Sequence, residues 1–154
     1  MAERELIVHA DDIEWFVPQG AEGIYASQCL IEPDGVGSQR LMVHRSTVKA
    51  GQKLGGGSHP AGYDECYYIL SGRARVALGG DPTTGEGSTV SEIGPDTTVF
   101  IPGGTFHALN NVYAEDLIFL TLWPRIAPGA NDVYDARIAA WGTSFRKKAT
   151  AQAR

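Results

Sequence analysis

Glycine and proline residues divide this sequence into short apolar segments, and this division constrains the fold more than any other feature. Nineteen glycines and eight prolines are spread along 154 residues. The segments between them have the length of strands rather than of helices, and they are rich in β-branched and aromatic side chains. The predicted strands are GIYASQCLI, RLMVHRSTV, ECYYIL, ARVALG, STVSEI, TTVFIP, HALNNV and LIFLTLW. We therefore expect an all-β sandwich or barrel of the jelly-roll kind.

Two glycine-containing stretches are predicted to form hairpin connections, namely Gly72 with Arg73 and the run GGDPTTGEG from Gly79 to Gly87. One helix is predicted at 131–141, where Asn131 is a suitable N-cap. The expected organisation is a single domain spanning 1–154. Its barrel core covers about residues 22–125, a short helical or extended C-terminal appendage covers about 126–146, and a frayed tail covers 147–154.

Charge and composition exclude several classes of partner. The chain has 13 Lys and Arg against 18 Asp and Glu, a formal net charge of −5, which disfavours binding to nucleic acid phosphates. No segment approaches the length of a transmembrane helix, and the N-terminal MAERELIVHADD lacks the apolar run of a secretory signal. The two cysteines, Cys29 and Cys66, allow at most one disulfide. We expect no nucleic acid, no membrane and a cytoplasmic location.

The segment HPAGYDECYYILSG contains a candidate functional strand. Because side chains alternate along a strand, Glu65 and Tyr67 point to one face and Cys66 to the other. Cys66 is therefore expected to be buried and inert rather than a nucleophile. The turn at 102–104 in FIPGGTFHALNN delivers His107 onto a second strand. If the two strands are neighbours, His107 enters the same interior as Glu65.

These two segments resemble the cupin superfamily of small β-barrels. The family carries the motifs G-x5-H-x-H-x3,4-E-x6-G and G-x5-P-x-G-x2-H-x3-N. The chain matches them, at the family's offsets, at His59, Glu65, Gly72, Pro102, Gly104, His107 and Asn111. It departs from them at Ala61, where metal-binding cupins usually have a second histidine, and at Lys53 and Asp96, which stand at the leading glycine positions.

The resemblance implies a single-domain cupin-type jelly-roll β-barrel with a metal site. His59, Glu65 and His107 would bind one divalent transition metal, namely Fe, Mn, Ni or Zn. Two histidines and one carboxylate leave open coordination positions for substrate or oxygen, as in non-haem Fe(II) oxygenases.

Four further residues are candidates for the site. Arg40 and His44 share a face of their predicted strand, which points either inward or outward. If it points inward, His44 would replace the missing ligand or act as a base, and Arg40 would bind substrate. Tyr67 is a candidate base, with barrel packing as its alternative role. Tyr63, in the turn before Glu65, would reach the mouth of the site and contact substrate.

The resemblance implies a metal-dependent enzyme that acts on a small oxygenated organic substrate. Dioxygenase-type chemistry is the first expectation, and an isomerase or lyase acting on a sugar or a keto or hydroxy compound is the first alternative. The second alternative is a binding module that takes up a small molecule without turnover. We also expect a homodimer, because the edge strands of a jelly roll need cover.

Overall fold

The computed structural model describes residues 6–33 and 35–125, and this part of the chain is almost entirely β-structure. Its nine strands, in chain order, are β1 (Tyr25–Ile31), β2 (Leu41–Val48), β3 (Lys53–Gly57), β4 (Glu65–Ser71), β5 (Ala74–Leu78), β6 (Thr89–Ile93), β7 (Thr98–Ile101), β8 (His107–Asn110) and β9 (Leu117–Pro124). A single 3-10 turn at Ala10–Asp12 precedes them. The all-β jelly-roll prediction is confirmed.

The strands form two antiparallel sheets. A five-stranded sheet has the order β1-β2-β9-β4-β7, and a four-stranded sheet has the order β3-β8-β5-β6. Consecutive strands often lie in different sheets, which is the connectivity of a jelly roll. The two segments that carry the candidate histidines therefore approach each other from opposite sheets, since β4 belongs to the first sheet and β8 to the second.

All eight predicted strands are present, but two expectations about their surroundings need correction. The KLGGG segment forms a ninth strand, β3, which pairs with β8. Gly72 and Arg73 do not close a hairpin, because β4 and β5 lie in different sheets. The connection at 79–88 does join a hairpin, since β5 pairs with β6. The helix expected at 131–141, the appendage at 126–146 and the tail at 147–154 lie outside the described residues.

The core lies between the inner faces of the two sheets. Strand β9 shows the alternation most clearly, because every second side chain is buried, at Leu117, Phe119, Thr121 and Trp123. Leu117 and Phe119 belong to an apolar cluster that includes Ile69, Val76, Ile101 and Leu109, whereas Trp123 packs with Cys29 and Met42 in a second cluster. Thr121 is therefore a polar residue in an inward row that is otherwise apolar.

The outer edge of β1 is partly covered by the chain's own N-terminal segment. Phe16 and Ser27 exchange two backbone hydrogen bonds of 2.7 and 2.8 Å. The Gln28 amide donates to the carbonyl oxygens of Ala10 and Ile13. Within the described residues, no helix has the length and apolar character needed to cross a membrane.

Candidate metal centre

The two segments that carry the candidate ligands meet at their turns. The backbone N–H of Gly104 donates to the carbonyl oxygen of His59 over 2.7 Å. The N–H of Gly103 donates to the Asp64 carboxylate over 3.0 Å. These two bonds hold the turn before β8 against the turn before β4, so that His59 and His107 are brought to the same end of the barrel.

Gly103 is required by this close contact rather than by an unusual backbone angle. A Cβ at Gly103 would lie 2.7 Å from the carbonyl oxygen of Pro60 and 2.7 Å from the nitrogen of Gly62. Both atoms belong to the backbone, so no side-chain rotation would relieve the clash. The glycine pair therefore allows the turns to approach closely enough for their histidines to meet.

His59, Glu65 and His107 form a compact cluster. The Nε2 atoms of His59 and His107 lie 3.0 and 3.2 Å from the same carboxylate oxygen, Oε2 of Glu65. The two imidazole centroids are 5.0 Å apart, and all three candidate ligand atoms lie within 4.8 Å of one another. Glu65 is only 2% exposed, so its carboxylate is buried beside the two histidines.

A hydrogen bond at Nδ1, the ring nitrogen that does not contact Glu65, fixes the orientation of His107. Its Nδ1 lies 3.1 Å from the carbonyl oxygen of Thr105. Because a carbonyl oxygen only accepts, Nδ1 carries the proton, and in the neutral ring Nε2 presents a lone pair to Glu65. A carbonyl that orients a histidine in this way is the usual support for a metal ligand.

The residues present fit a divalent metal. When the His107 ring is neutral, its Nε2 lone pair and the Glu65 carboxylate oxygen are both acceptors, and a cation between them would stabilise their separation of 3.2 Å. Two ligands that share one ion, each about 2.1 Å from it, would be about 3.0–3.4 Å apart. The two nitrogen–oxygen separations in the cluster, 3.0 and 3.2 Å, lie in this range.

The cluster lies in the wall of a cavity of about 420 Å³. Tyr67 lines the same cavity, with its ring edge-on to His107 at 6.2 Å and to Phe119 at 5.0 Å. The remaining described lining residues come from the loop before β1, from β1, from β3 with the residue after it, and from β8 and β9: Pro18, Gln19, Gly20, Ala21, Tyr25, Leu54, Gly55, Gly56, Gly57, Ser58, Ala108, Leu109 and Thr121. A cavity of this size suits a small organic molecule.

His44 points inward, but the structure does not bring it to the cluster. It is fully buried on β2, where Nε2 lies 2.9 Å from the sulfur of Cys29 and Nδ1 lies 3.2 Å from the hydroxyl of Ser27. Its ring packs on Trp123 with a centroid distance of 4.5 Å. His44 is not among the described residues that line the cavity. Because β9 separates β2 from β4 in the sheet, His44 is two strands away from Glu65.

Arg40 and Tyr63 also lie apart from the described cavity lining. Arg40 is exposed and precedes β2, so the strand alternation that would place it beside His44 does not extend to it. Tyr63 is buried in the turn, where its N–H donates to the carbonyl oxygen of Pro60. Ala61 is exposed in the same turn and does not occupy a ligand position.

The alternation predicted for β4 is observed. Glu65 and Tyr67 are buried, whereas Cys66 is half-buried on the opposite face. Burial raises the pKa of the Cys66 thiol, and the nearby Glu65 carboxylate raises it further. A thiol with a raised pKa is a poor nucleophile at neutral pH.

Sequence reasoning missed the contributions of the N-terminal loop, of β3 and of Thr121 to the cavity. The loop and β3 gave no pattern that identifies a binding residue. Thr121 did give one, because it is the polar residue within LIFLTLW. A polar side chain at an inward position of a buried strand needs a partner, which makes such a residue a candidate for ligand contact.

A comparison with models of protein families tests the relationship to cupins that the two sequence motifs indicated. The model of the cupin domain matches residues 44–123, which include all three candidate ligands. The chain belongs to the cupin superfamily. A search of the curated proteins gave no match.

Several solved structures share this fold. The DMSP lyase DddQ from Ruegeria pomeroyi is 28% identical with a TM-score of 0.60, over 76% of this chain and 58% of that one. The polyketide cyclase RemF from Streptomyces resistomycificus is 21% identical with a TM-score of 0.62, over 86% of each chain. A protein described as a predicted oxalate decarboxylase from Thermotoga maritima is 20% identical with a TM-score of 0.61, over 77% of this chain and 98% of that one. These similarities support the barrel and leave the reaction to be argued from the site.

Proposed function

We propose that this cupin is a metal-dependent enzyme that acts on a small oxygenated organic compound, with His59, Glu65 and His107 as the metal ligands. The observation that carries the proposal is the convergence of both histidine Nε2 atoms on one buried oxygen of Glu65, at 3.0 and 3.2 Å. This cluster lines a cavity that is large enough for a small molecule. A structural site would not need such a cavity, whereas a catalytic site does.

A bound divalent ion would supply Lewis acidity to the substrate oxygens. The protein contributes the arrangement around it. The Thr105 carbonyl fixes the tautomer of His107, and the buried Glu65 carboxylate supplies the negative charge. Leu109 and Phe119 give the cavity apolar walls, which limit the access of water to the reacting groups.

Metal analysis of the purified, untagged protein tests the site. We expect near-stoichiometric metal in the wild type after equilibration with Fe, Mn, Ni or Zn, and its loss in His59→Ala, Glu65→Gln and His107→Ala. Glu14→Gln is the matched control, because Glu14 is an exposed glutamate away from the cavity. A wild-type protein that takes up none of these metals would refute the proposal.

The first reaction class is oxygen chemistry. Two histidines and one carboxylate are the ligand set of non-haem Fe(II) oxygenases, which keep the opposite face of the ion open. If this class is correct, the iron-loaded protein consumes oxygen when its substrate is added. An oxygen electrode measures this directly. Turnover without oxygen consumption excludes the class.

The second reaction class is proton transfer, as in an isomerase or lyase, and the position of Tyr67 favours it. The Tyr67 side chain lines the cavity beside His107, and in this reaction class its hydroxyl would hold or move a proton of the bound substrate. The 28% identity to a DMSP lyase is a further reason to test elimination.

Tyr67→Phe separates proton transfer from packing. The variant keeps the ring that contacts Phe119 and removes only the hydroxyl. We expect turnover to fall by about 10²–10⁴-fold with metal content unchanged. Tyr68→Phe is the control, because the Tyr68 hydroxyl faces outward and donates to Asp96. Equal effects of the two substitutions would assign Tyr67 a packing role only.

A binding module without turnover is the remaining alternative. It predicts a ligand that binds the metal-loaded protein and is recovered unchanged after prolonged incubation. Product analysis of the incubated ligand decides between this alternative and the two reaction classes.

A further inference from the structure

Thr121 is a buried polar residue in the wall of the cavity, and its hydroxyl has no hydrogen-bond partner within residues 6–33 and 35–125. It lies on β9, is 4% exposed and lines the cavity together with Glu65 and Tyr67. Its hydroxyl oxygen makes no hydrogen bond among the described residues. Buried hydroxyl groups nearly always have a partner, so an unsatisfied one beside a cavity indicates that the partner belongs to the occupant of that cavity.

The packing of β9 does not require a hydroxyl at this position. The other inward residues of the strand are Leu117, Phe119 and Trp123. A valine has nearly the shape of threonine and no polar atom to satisfy, and it is at least as favourable in a strand. The presence of threonine is therefore better explained by a function in the cavity than by stability.

The sheet register fixes the position of Thr121 relative to the metal ligands. Thr121 lies directly opposite Tyr67 in the β4–β9 pair. Glu65, two residues before Tyr67, is therefore its diagonal neighbour on the same face. Diagonal neighbours lie about 7–8 Å apart, with their Cβ atoms somewhat closer, and a small organic molecule spans such a distance.

We propose that the Thr121 hydroxyl hydrogen-bonds to an uncharged polar group of the substrate while the other end of the substrate reaches the His59–Glu65–His107 cluster. This inference rests on the proposed metal-dependent function and specifies its substrate class. The substrate is a short bifunctional molecule, with a metal-binding oxygen group at one end and a neutral hydroxyl, carbonyl or amide group at the other.

The charge of the cavity supports a neutral distal group. Among the described residues that line it there is no lysine and no arginine. By contrast, Lys53 and Arg75 line a second depression, which shares only Gly55, Gly56, Ala108 and Leu109 of its described lining with the cavity. A second carboxylate near Thr121 would therefore have no lysine or arginine of the described lining as a partner, and its loss of hydration would not be offset by one.

The test compares ligands that differ only by one distal hydroxyl. Wild-type protein is loaded with Co²⁺ and titrated with propanoate, butanoate and pentanoate, and then with the corresponding ω-hydroxy acids. Binding is followed by the visible absorption of the cobalt ion, so the measurement does not depend on turnover. For each chain length, the ratio of the two dissociation constants gives the contribution of the hydroxyl.

We expect the hydroxy acid of one chain length to bind roughly three- to tenfold more tightly than its parent, the value of one neutral hydrogen bond. Thr121→Val should reduce this ratio to about one, and Thr121→Ser should preserve it. The matched control is Thr47→Val. Thr47 is 5% exposed and its hydroxyl also lacks a partner in the part of the chain that the structure describes, but it is not among the described residues that line the cavity.

Three results would overturn the inference. They are a wild type with no preference at any chain length, a preference that survives in Thr121→Val, and a preference that Thr47→Val reduces equally. In each of these cases cobalt still binds and responds to the acids, so the proposed metal site stands. A protein that binds neither cobalt nor any of Fe, Mn, Ni and Zn would instead refute the proposed function together with this inference.

Discussion

Gly72, which follows β4, packs closely against the backbone of Asp116, and this contact can be tested quantitatively. Its φ of +76° lies in the left-handed region, and a Cβ there would lie 2.2 Å from the backbone carbonyl oxygen of Asp116. Alanine at such a φ costs about 1–2 kcal/mol. Contact with a backbone atom that is unable to rotate away adds about 1–3 kcal/mol of overpacking strain. Gly72→Ala should therefore lower the free energy of unfolding by about 2–5 kcal/mol.

The variant Gly79→Ala separates the strain caused by the contact at Gly72 from the cost of the left-handed backbone angle. Gly79 has almost the same φ, +78°, but a Cβ there would have no neighbour within 4 Å. The effects of backbone angle and of unfolded-state entropy are common to both variants and cancel in their difference. Gly72→Ala should thus be less stable than Gly79→Ala by about 1–3 kcal/mol, which corresponds to about 2–12 °C in melting temperature. Scanning calorimetry measures this difference. Equal melting temperatures for the two variants would refute the reasoning.

Three further predictions concern the metal, the missing ligand and acid stability. A divalent metal at 100 times its Kd should stabilise the wild type by about 2.7 kcal/mol, and Glu65→Gln should abolish this thermal shift. Ala61→His should leave metal affinity in a dialysis assay unchanged, because this residue is exposed in a turn; tighter binding would contradict the placement. Asp116→Asn should destabilise the protein at neutral pH, because hydrogen bonds from Lys49 and then from the N–H of Ala50 lower the pKa of Asp116 in the folded state. The stability difference between wild type and Asp116→Asn is fully present above the unfolded pKa of 3.8 and disappears as pH falls through the lower folded pKa. Urea unfolding at several pH values measures this difference. A difference that does not change with pH would contradict the prediction.

The candidate site was predictable because two independent properties of the sequence agree, namely the alternation of side chains along β4 and the spacing of the motif residues. Alternation along β4 placed Glu65 and Tyr67 on one face, and the structure buries both. The motif offsets then identified His59 and His107 as candidate partners of Glu65. The motif offsets are informative because the turns before β4 and β8 have fixed lengths. Residues at fixed positions in these two turns therefore meet when the turns dock.

Strand β3 was not predictable from its own residues. KLGGG has three glycines, which are unfavourable in a strand, and it becomes one by pairing with β8. A Cβ at Gly56 would lie 2.2 Å from the ring of Phe106, so the glycine is needed for the approach of a side chain that is distant in sequence. Only the tertiary structure shows this requirement, because local propensity contains no information about Phe106.

The neighbours of His44 were equally inaccessible to sequence reasoning. Alternation left open whether the residue points inward, and the answer depends on the pairing of β2 with β9. That pairing places His44 opposite Thr121, while the pairing of β1 with β2 places it opposite Cys29. Its inward orientation therefore leads to a contact with a thiol rather than with the metal cluster, a difference that no feature within RLMVHRSTV specifies.

Ala61 shows that the position of a residue in the motif does not by itself determine where its side chain points. In a continuous strand, residues 59 and 61 would share a face, and a histidine at 61 would join the ligands. Here the chain turns between Pro60 and Tyr63, with a hydrogen bond from the Tyr63 N–H to the Pro60 carbonyl, so Ala61 is exposed. The docked Gly103 holds this turn in place, because its contacts with Pro60 and Gly62 leave no room for a Cβ. A fourth protein ligand at this site would thus require a rearranged turn as well as a histidine. For this reason we expect the three-ligand cluster to be a property of the backbone path and not of a single substitution.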